Sequence, residues 1–317
     1  MKNTFYLAAA AAALFASCEK DMIPDGTILS VEYFPAEETK VEAPAPTQTA
    51  TQSATVETQT QSQFDEYING EAIAYPVNTI GDGDALVYEI DIFADAGTRN
   101  WNFEESNLHG YKVGQTFMRN AIDGQYTLKQ TQAPLKHIFE ALPNETTIVT
   151  ASANRGGDDI NEDWVVATTQ ALANSNALLV RSLENIGDDG DLYSSGPVVE
   201  RINETLEGYD QSIFVGVYDT QFNIALVNQQ SFSYYEDNII FVSMDKRVDS
   251  YNTTSHATPK LAALASQLLH DNPNATPQEL KKMIFDLTVE ETVEMWTGSD
   301  QYGTATSELR AIRILRL

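Results

Sequence analysis

Ala177-Leu178-Leu179-Val180-Arg181-Ser182-Leu183 follows the segment 164–173 after three residues, and the pair decides the fold class. The first segment reads as a helix with Val165, Val166, Thr169 and Leu172 on one side; the second is a short apolar run that reads as a buried strand. The same alternation continues outward. Towards the N-terminus, residues 86–90 and 147–151 read as strands, with helix-like text at 110–122 between them. Towards the C-terminus, 198–206 reads as a helix and 213–217 as another strand. Strands alternating with helices argue for βαβ units. The expected fold is therefore α/β, a mostly parallel central sheet with helices on both faces. Leu261, Leu264, Ala265, Leu268 and Leu269 keep the i, i+3, i+4, i+7, i+8 spacing of a helix. A further helix opens at Thr276-Pro277-Gln278-Glu279, a capping box with Pro at the first helical position.

Composition excludes several functions. The 317 residues carry 19 Lys+Arg against 46 Asp+Glu, a net charge of −27. A nucleic-acid binder needs a basic face to displace counterions, and this surface repels phosphate. Attachment to anionic lipid through a polybasic patch fails for the same reason. With 42% hydrophobic and 21% charged residues, the chain as a whole is neither disordered nor membrane-embedded. A single Cys excludes disulfide scaffolds and thiolate metal clusters.

That Cys has a place of its own. A basic start, Met1-Lys2, precedes an Ala-rich apolar run over 5–15, and then comes Leu14-Phe15-Ala16-Ser17-Cys18. The run is shorter than the ~20 apolar residues that span a bilayer. It resembles a bacterial lipoprotein signal, which implies cleavage after residue 17 and lipidation of Cys18. Residues 36–63 are rich in Thr, Gln, Ala, Pro and Glu and lack apolar periodicity, as a flexible stalk would. The expected organisation is a signal at 1–17, a tether and linker at 18–66, and a folded domain at 67–317. The chain would be exported and held at the membrane by its lipid alone, on the periplasmic side or the cell surface.

The chemistry concentrates in Thr253-Thr254-Ser255-His256-Ala257-Thr258-Pro259, at the head of the 261–269 helix. A Ser at a helix N-terminus lies near the positive end of the dipole and near free backbone N–H groups, which stabilise an oxyanion formed beside it. The plainer role of such a Ser is to cap the helix. The whole string is similar to the Gly-Thr-Ser-x-Ala-x-Pro motif around the nucleophile of the subtilisin-like serine proteases. Leu108-His109-Gly110-Tyr111-Lys112-Val113-Gly114 resembles that family's His-Gly-Thr-His-Val-Ala-Gly. Val87-Tyr88-Glu89-Ile90-Asp91 resembles its Val-Ala-Val-Ile-Asp, and the order Asp, His, Ser is the family's own.

The middle of the chain agrees. Thr147-Ile148-Val149-Thr150-Ala151-Ser152-Ala153-Asn154 is similar to the strand whose edge pairs with substrate backbone in the family, so Ser152 and Ala153 are the implied substrate-binding positions. The 177–185 segment resembles Val-Val-Val-Ala-Ala-Ala-Gly-Asn. Residues 213–219 resemble Ile-Ala-Val-Gly-Ala-Val-Asp, and Gln230-Ser231-Phe232-Ser233 resembles Ala-Ser-Phe-Ser. The resemblance covers about residues 86–287. It makes Asn185 the side-chain oxyanion donor, because Asn185 follows the 164–173 helix as the family's Asn does, whereas Asn154 precedes it.

The implied roles follow the Asp-His-Ser mechanism. Ser255 Oγ attacks the scissile carbonyl, His109 takes its proton and passes it to the leaving amine, and Asp91 fixes the imidazole. Asn185 bonds the developing oxyanion; in subtilisin itself, loss of such a donor lowers turnover by about 10²–10³. The substrate would be a peptide or protein, and no cofactor is demanded. Calcium stays open at the acidic loops 81–84, 158–159 and 188–191, none of which has complete EF-hand spacing.

Several positions depart from the pattern. Thr253 and Glu184 stand where the family has Gly, Lys112 replaces its second His, and Ile92-Phe93 occupies the place of a small residue and Gly. Ala153-Asn154 replaces a Leu-Gly pair, and Glu89 interrupts an apolar strand. Two other classes therefore stay in view: a protease-fold peptide-binding module without turnover, and a surface adhesin or structural lipoprotein. His137 and His270 have no motif around them. His256 adjoins Ser255, but consecutive helical residues point apart, which makes it a poor base for Ser255.

Overall fold

Runs of Val, Ile, Leu and Phe that bury both faces form the middle of the sheet. The computed structural model describes residues 64–68, 71–94, 101–152, 162–183, 209–226, 236–245, 253–299 and 305–317. Strands β6 (Thr147–Ala151), β7 (Ala177–Ser182), β8 (Ser212–Asp219) and β10 (Ile239–Met244) are buried along their whole length, and β4 (Ala85–Ile90) nearly so. β5 (Tyr126–Thr131) lies on the other side of β4. Pairing is parallel from β5 through β4, β6, β7 and β8 to β10. The short strand β3 (Asn78–Ile80) closes the far edge antiparallel to β5.

Beyond β8 the sheet curls on itself. β9 (Ile224–Leu226) pairs antiparallel with β8 and parallel with β11 (Val289–Ser299). β11 pairs antiparallel with β12 (Ala305–Leu315), which returns parallel to β10. Since β10 also pairs with β8, five strands form a closed ring, a device that removes an exposed sheet edge. A separate antiparallel hairpin pairs β1 (Phe64–Ile68) with β2 (Glu71–Tyr75).

Helices cover both faces of the sheet. On one face Val87, Ile148, Leu178, Val180, Ile213 and Val215 pack with Phe117 of α1 (His109–Asn120), Leu261 and Ala265 of α4 (Thr254–Asp271) and Leu280 of α5 (Pro277–Asp286). On the other, Tyr88, Ile90, Val149, Leu179 and Phe214 pack with Ile138 and Phe139 of α2 (Leu135–Ala141) and Leu172 of α3 (Glu162–Ala173). The α/β class expected from the alternation is present. The segment 198–206, expected to be helical, lies outside the described residues.

Two helix faces differ in detail from the expectation. In α3 the buried stripe is Thr168, Thr169 and Leu172, whereas Val166 is 43% exposed. Val166 lies about 160° from Thr168 and about 120° from Leu172, on the outer side of Thr169, which puts it at the edge away from the sheet. In α4 burial extends to Leu261, Ala262, Ala265, Ser266 and Leu269, leaving Leu264 and Leu268 at the margin of the packed face. The capping box of α5 forms as expected, with Thr276 accepting from the Glu279 N–H and Glu279 from the Thr276 N–H.

Candidate active site

In a parallel sheet the carboxyl ends of the strands gather along one rim, and ligands bind there. Asp91 follows the last residue of β4 and Ser152 the last of β6, and Ser182 ends β7. Two helices bring their N-termini to the same rim: α1 begins at His109, and α4 places Ser255 in its first turn.

The Asp91 carboxylate is fully buried and doubly engaged. Its Oδ1 accepts from the Ile92 N–H and from His109 Nδ1, both at 2.6 Å. The His109 side chain is 32% exposed and its ring is anchored at Nδ1. The start of α1 is stitched to the strand end by the Gly110 N–H, which donates to the Ile92 carbonyl at 3.0 Å. Gly110 permits this approach: a Cβ there would fall 2.5–2.8 Å from ring atoms of Phe93. Phe93 is itself fully buried and rests on Phe103 with ring centroids 4.8 Å apart. The bulky residue that departs from the family pattern after Asp91 thus floors the first turn of the histidine helix.

Ser255 occupies the second position of α4 and is 8% exposed. Its Oγ donates to the Ser152 carbonyl at 3.2 Å, and Ser182 Oγ donates to the same carbonyl at 3.1 Å. The ring of His256 meets that of His109 edge to face, with centroids 6.3 Å apart. Burial, with His109 and Lys112 as positive neighbours, lowers the His256 pKa to about 3, so this imidazole stays neutral at ordinary pH. Pro259 has no N–H, so the Ser255 carbonyl lacks its usual partner four residues on.

Beneath α1 lies a buried polar relay. Glu89 is 1% exposed; its Oε2 accepts from Gln130 Nε2 at 3.0 Å, and Gln130 Oε1 accepts from Asn78 Nδ2 at 2.8 Å. Glu89 Oε1 has no hydrogen-bond partner. Burial, reinforced by the charge of Asp91, raises the Glu89 pKa well above the ordinary carboxyl range and favours its protonated form. Gly114 makes room for this group, since a Cβ there would land on the Gln130 amide and 2.9 Å from Glu89 Oε2.

The structure therefore brings Asp91 and His109 into contact, places Ser255 and Ser152 in contact, and sets the two pairs on one rim. Asn185, Ala153 and Cys18 lie outside the described residues, as do the loops 158–159 and 188–191. In the loop 81–84, Asp84 Oδ1 pairs with His270 Nδ1 at 2.6 Å, and among the described residues no three acidic or imidazole groups converge as a metal site would require. Sequence reasoning passed over Thr253 and His256 as a pair, although their three-residue spacing is that of an N-cap and the N3 position.

No family model matches the chain, and neither does any curated protein. Solved structures do. A cold-adapted subtilisin-like serine proteinase is similar over 75% of this chain and 91% of its own, with 14% identity and a TM-score of 0.44. Sphericase is similar over 74% of this chain and 92% of its own, with 14% identity and a TM-score of 0.42. Chemistry does not follow from likeness at this level; the distances at the rim bear on it directly.

Proposed function

We propose that the chain is a serine endopeptidase of the subtilisin-like kind, exported and lipid-anchored through Cys18. The observation that carries the reading is the buried Asp91 carboxylate holding His109 Nδ1 at 2.6 Å beside a helix N-terminus that presents Ser255. With its proton kept on Nδ1 by Asp91, the imidazole offers its Nε2 lone pair as a base. Ser255 Oγ attacks the peptide carbonyl while His109 takes the hydroxyl proton. The tetrahedral oxyanion draws on the first-turn N–H of Ser255 and on Asn185. His109 then protonates the leaving amine, and water repeats the sequence in reverse on the acyl-enzyme. Ser152 and Ala153 would pair with the substrate backbone.

One observation favours a second reading. Ser255 Oγ donates to Ser152 and makes no hydrogen bond to His109, so attack requires the hydroxyl to turn. A peptide-binding module on the same scaffold would tolerate that orientation. Labelling the full chain with a fluorophosphonate, beside Ser255→Ala, separates the two. Labelling that disappears in the variant is the expected result. A folded wild-type chain that does not label would sink the peptidase and leave the binding module.

A further inference from the structure

Two helices of this chain start with Thr at the N-cap, and the two threonines behave differently. In α5, Thr276 Oγ1 accepts from the Glu279 N–H at 3.2 Å, the usual bond from cap to third residue. In α4, Thr253 makes no side-chain cap bond; its Oγ1 instead lies 2.9 Å from Nδ1 of His256. The difference lies at N3, where α5 has Glu279 and α4 has His256. The Thr253 backbone carbonyl already accepts from the His256 and Ala257 N–H groups, at 3.1 and 3.0 Å. Among the described residues nothing accepts from the Ser255 N–H. A donor left open in so buried a residue is costly, and such donors are retained where charge develops.

We propose that His256 and Thr253 are positioning residues whose side-chain hydrogen bond keeps the cap hydroxyl off the first-turn amides, holding the Ser255 N–H open for the oxyanion. The inference rests on the peptidase reading for its consequence and on the α4 geometry for its cause. His256 suits the task. It is 3% exposed, its ring is wedged against His109, and it stays neutral, so its Nδ1 keeps a fixed relation to the hydroxyl. Without it, Thr253 becomes an ordinary cap and competes with the substrate for the Ser255 amide. The departure at 253, a Thr in place of Gly, then has its counterpart three residues on.

The test is His256→Leu in the full chain, alone and with Thr253→Val, read by the rate of fluorophosphonate acylation and by amide hydrogen exchange at Ser255. A fluorophosphonate places its phosphoryl oxygen where the oxyanion forms. In H256L the freed hydroxyl caps the helix, acylation slows about 100- to 1000-fold, the range for one lost oxyanion donor, and Ser255 exchange slows. Adding T253V removes the competing hydroxyl and restores most of the rate and the fast exchange. A general loss of structure would not be rescued by a second substitution. An H256L rate within twofold of wild type, or a double variant as slow as the single, overturns the proposal. If the wild type does not label while Ser255 exchange still slows in H256L and recovers in the double variant, the peptidase reading falls and the clasp stands. Unchanged exchange in every variant overturns the clasp. Should Leu prevent folding, His256→Ala replaces it with the same expected outcomes.

Discussion

Glu89 and Asp91 sit two residues apart, within and just past the end of β4, and are bonded differently. Asp91 Oδ1 has the Ile92 N–H and His109 Nδ1 as partners, whereas Glu89 has a single amide donor and a bare glycine above it. Because the folded-state pKa of Glu89 is raised, the folded chain binds a proton that the unfolded chain has released. The contribution of this group is therefore intact below the ordinary carboxyl pKa and is lost as pH climbs through the window between 4.5 and the raised value, at about 1.4 kcal/mol per pH unit within it. Glu89→Gln keeps the shape and abolishes the titration. Its unfolding free energy should match wild type at pH 4 and exceed it at pH 8, as measured by denaturant titration. Equal pH dependence in both proteins would show that folding does not raise the Glu89 pKa. The Glu interrupting an apolar strand was visible in the sequence, but Gln130, Gly114 and Asn78 as its surroundings were not, because they come from two other strands and a helix.

At the level of elements, the decisive contact is between α1 and the end of β4. Gly110→Ala sets two effects against each other. Ala improves helix propensity by about 1 kcal/mol, whereas overpacking a filled interior costs about 1–3 kcal/mol. A Cβ within 2.8 Å of a buried aromatic ring puts the second effect ahead. The expected outcome is a lower melting temperature together with at least tenfold slower fluorophosphonate labelling, since the turn that carries His109 must lift. Phe93→Leu in the same chain should return part of both losses; a variant that labels and melts like wild type would show that the first turn is not held by this contact. Element reading from sequence worked where periodicity was strong, as in α4 and α5. The expected elements end with the helix opening at Thr276 and do not include β11 and β12, although Val293 and Met295 of β11 keep the period of two of a strand face and are both buried.

For the whole molecule, the proposed anchorage at Cys18 is what an experiment can reach. No helix among the described residues is long and apolar enough to cross a membrane. Independently of that, Cys18 is the proposed link to the bilayer. Cys18→Ser, expressed in a bacterial host that processes lipoproteins, should move the protein from the membrane fraction to the soluble exported fraction and remove the lipid mass from its N-terminal peptide. Retention of the variant in the membrane would refute the anchor. The unfolding and labelling outcomes above are independent of that result, because the rim residues belong to the folded sheet.

The sequence by itself determined what depends on neighbours along the chain: the α/β alternation, the capping box at Thr276, the apolar face of α4, and candidate groups Asp91, His109 and Ser255 at element ends. Local periodicity and capping chemistry are short-range, so they can be read without coordinates. Tertiary structure alone decided what depends on approach across the sheet. It joined His109 to Asp91, turned the Ser255 hydroxyl onto Ser152, closed five strands into a ring, and buried Glu89 beneath a glycine. It also showed that Thr253 gives its hydroxyl to a side chain and not to the helix. A spacing of three residues permits either bond, and the packing of His256 against His109 selects one.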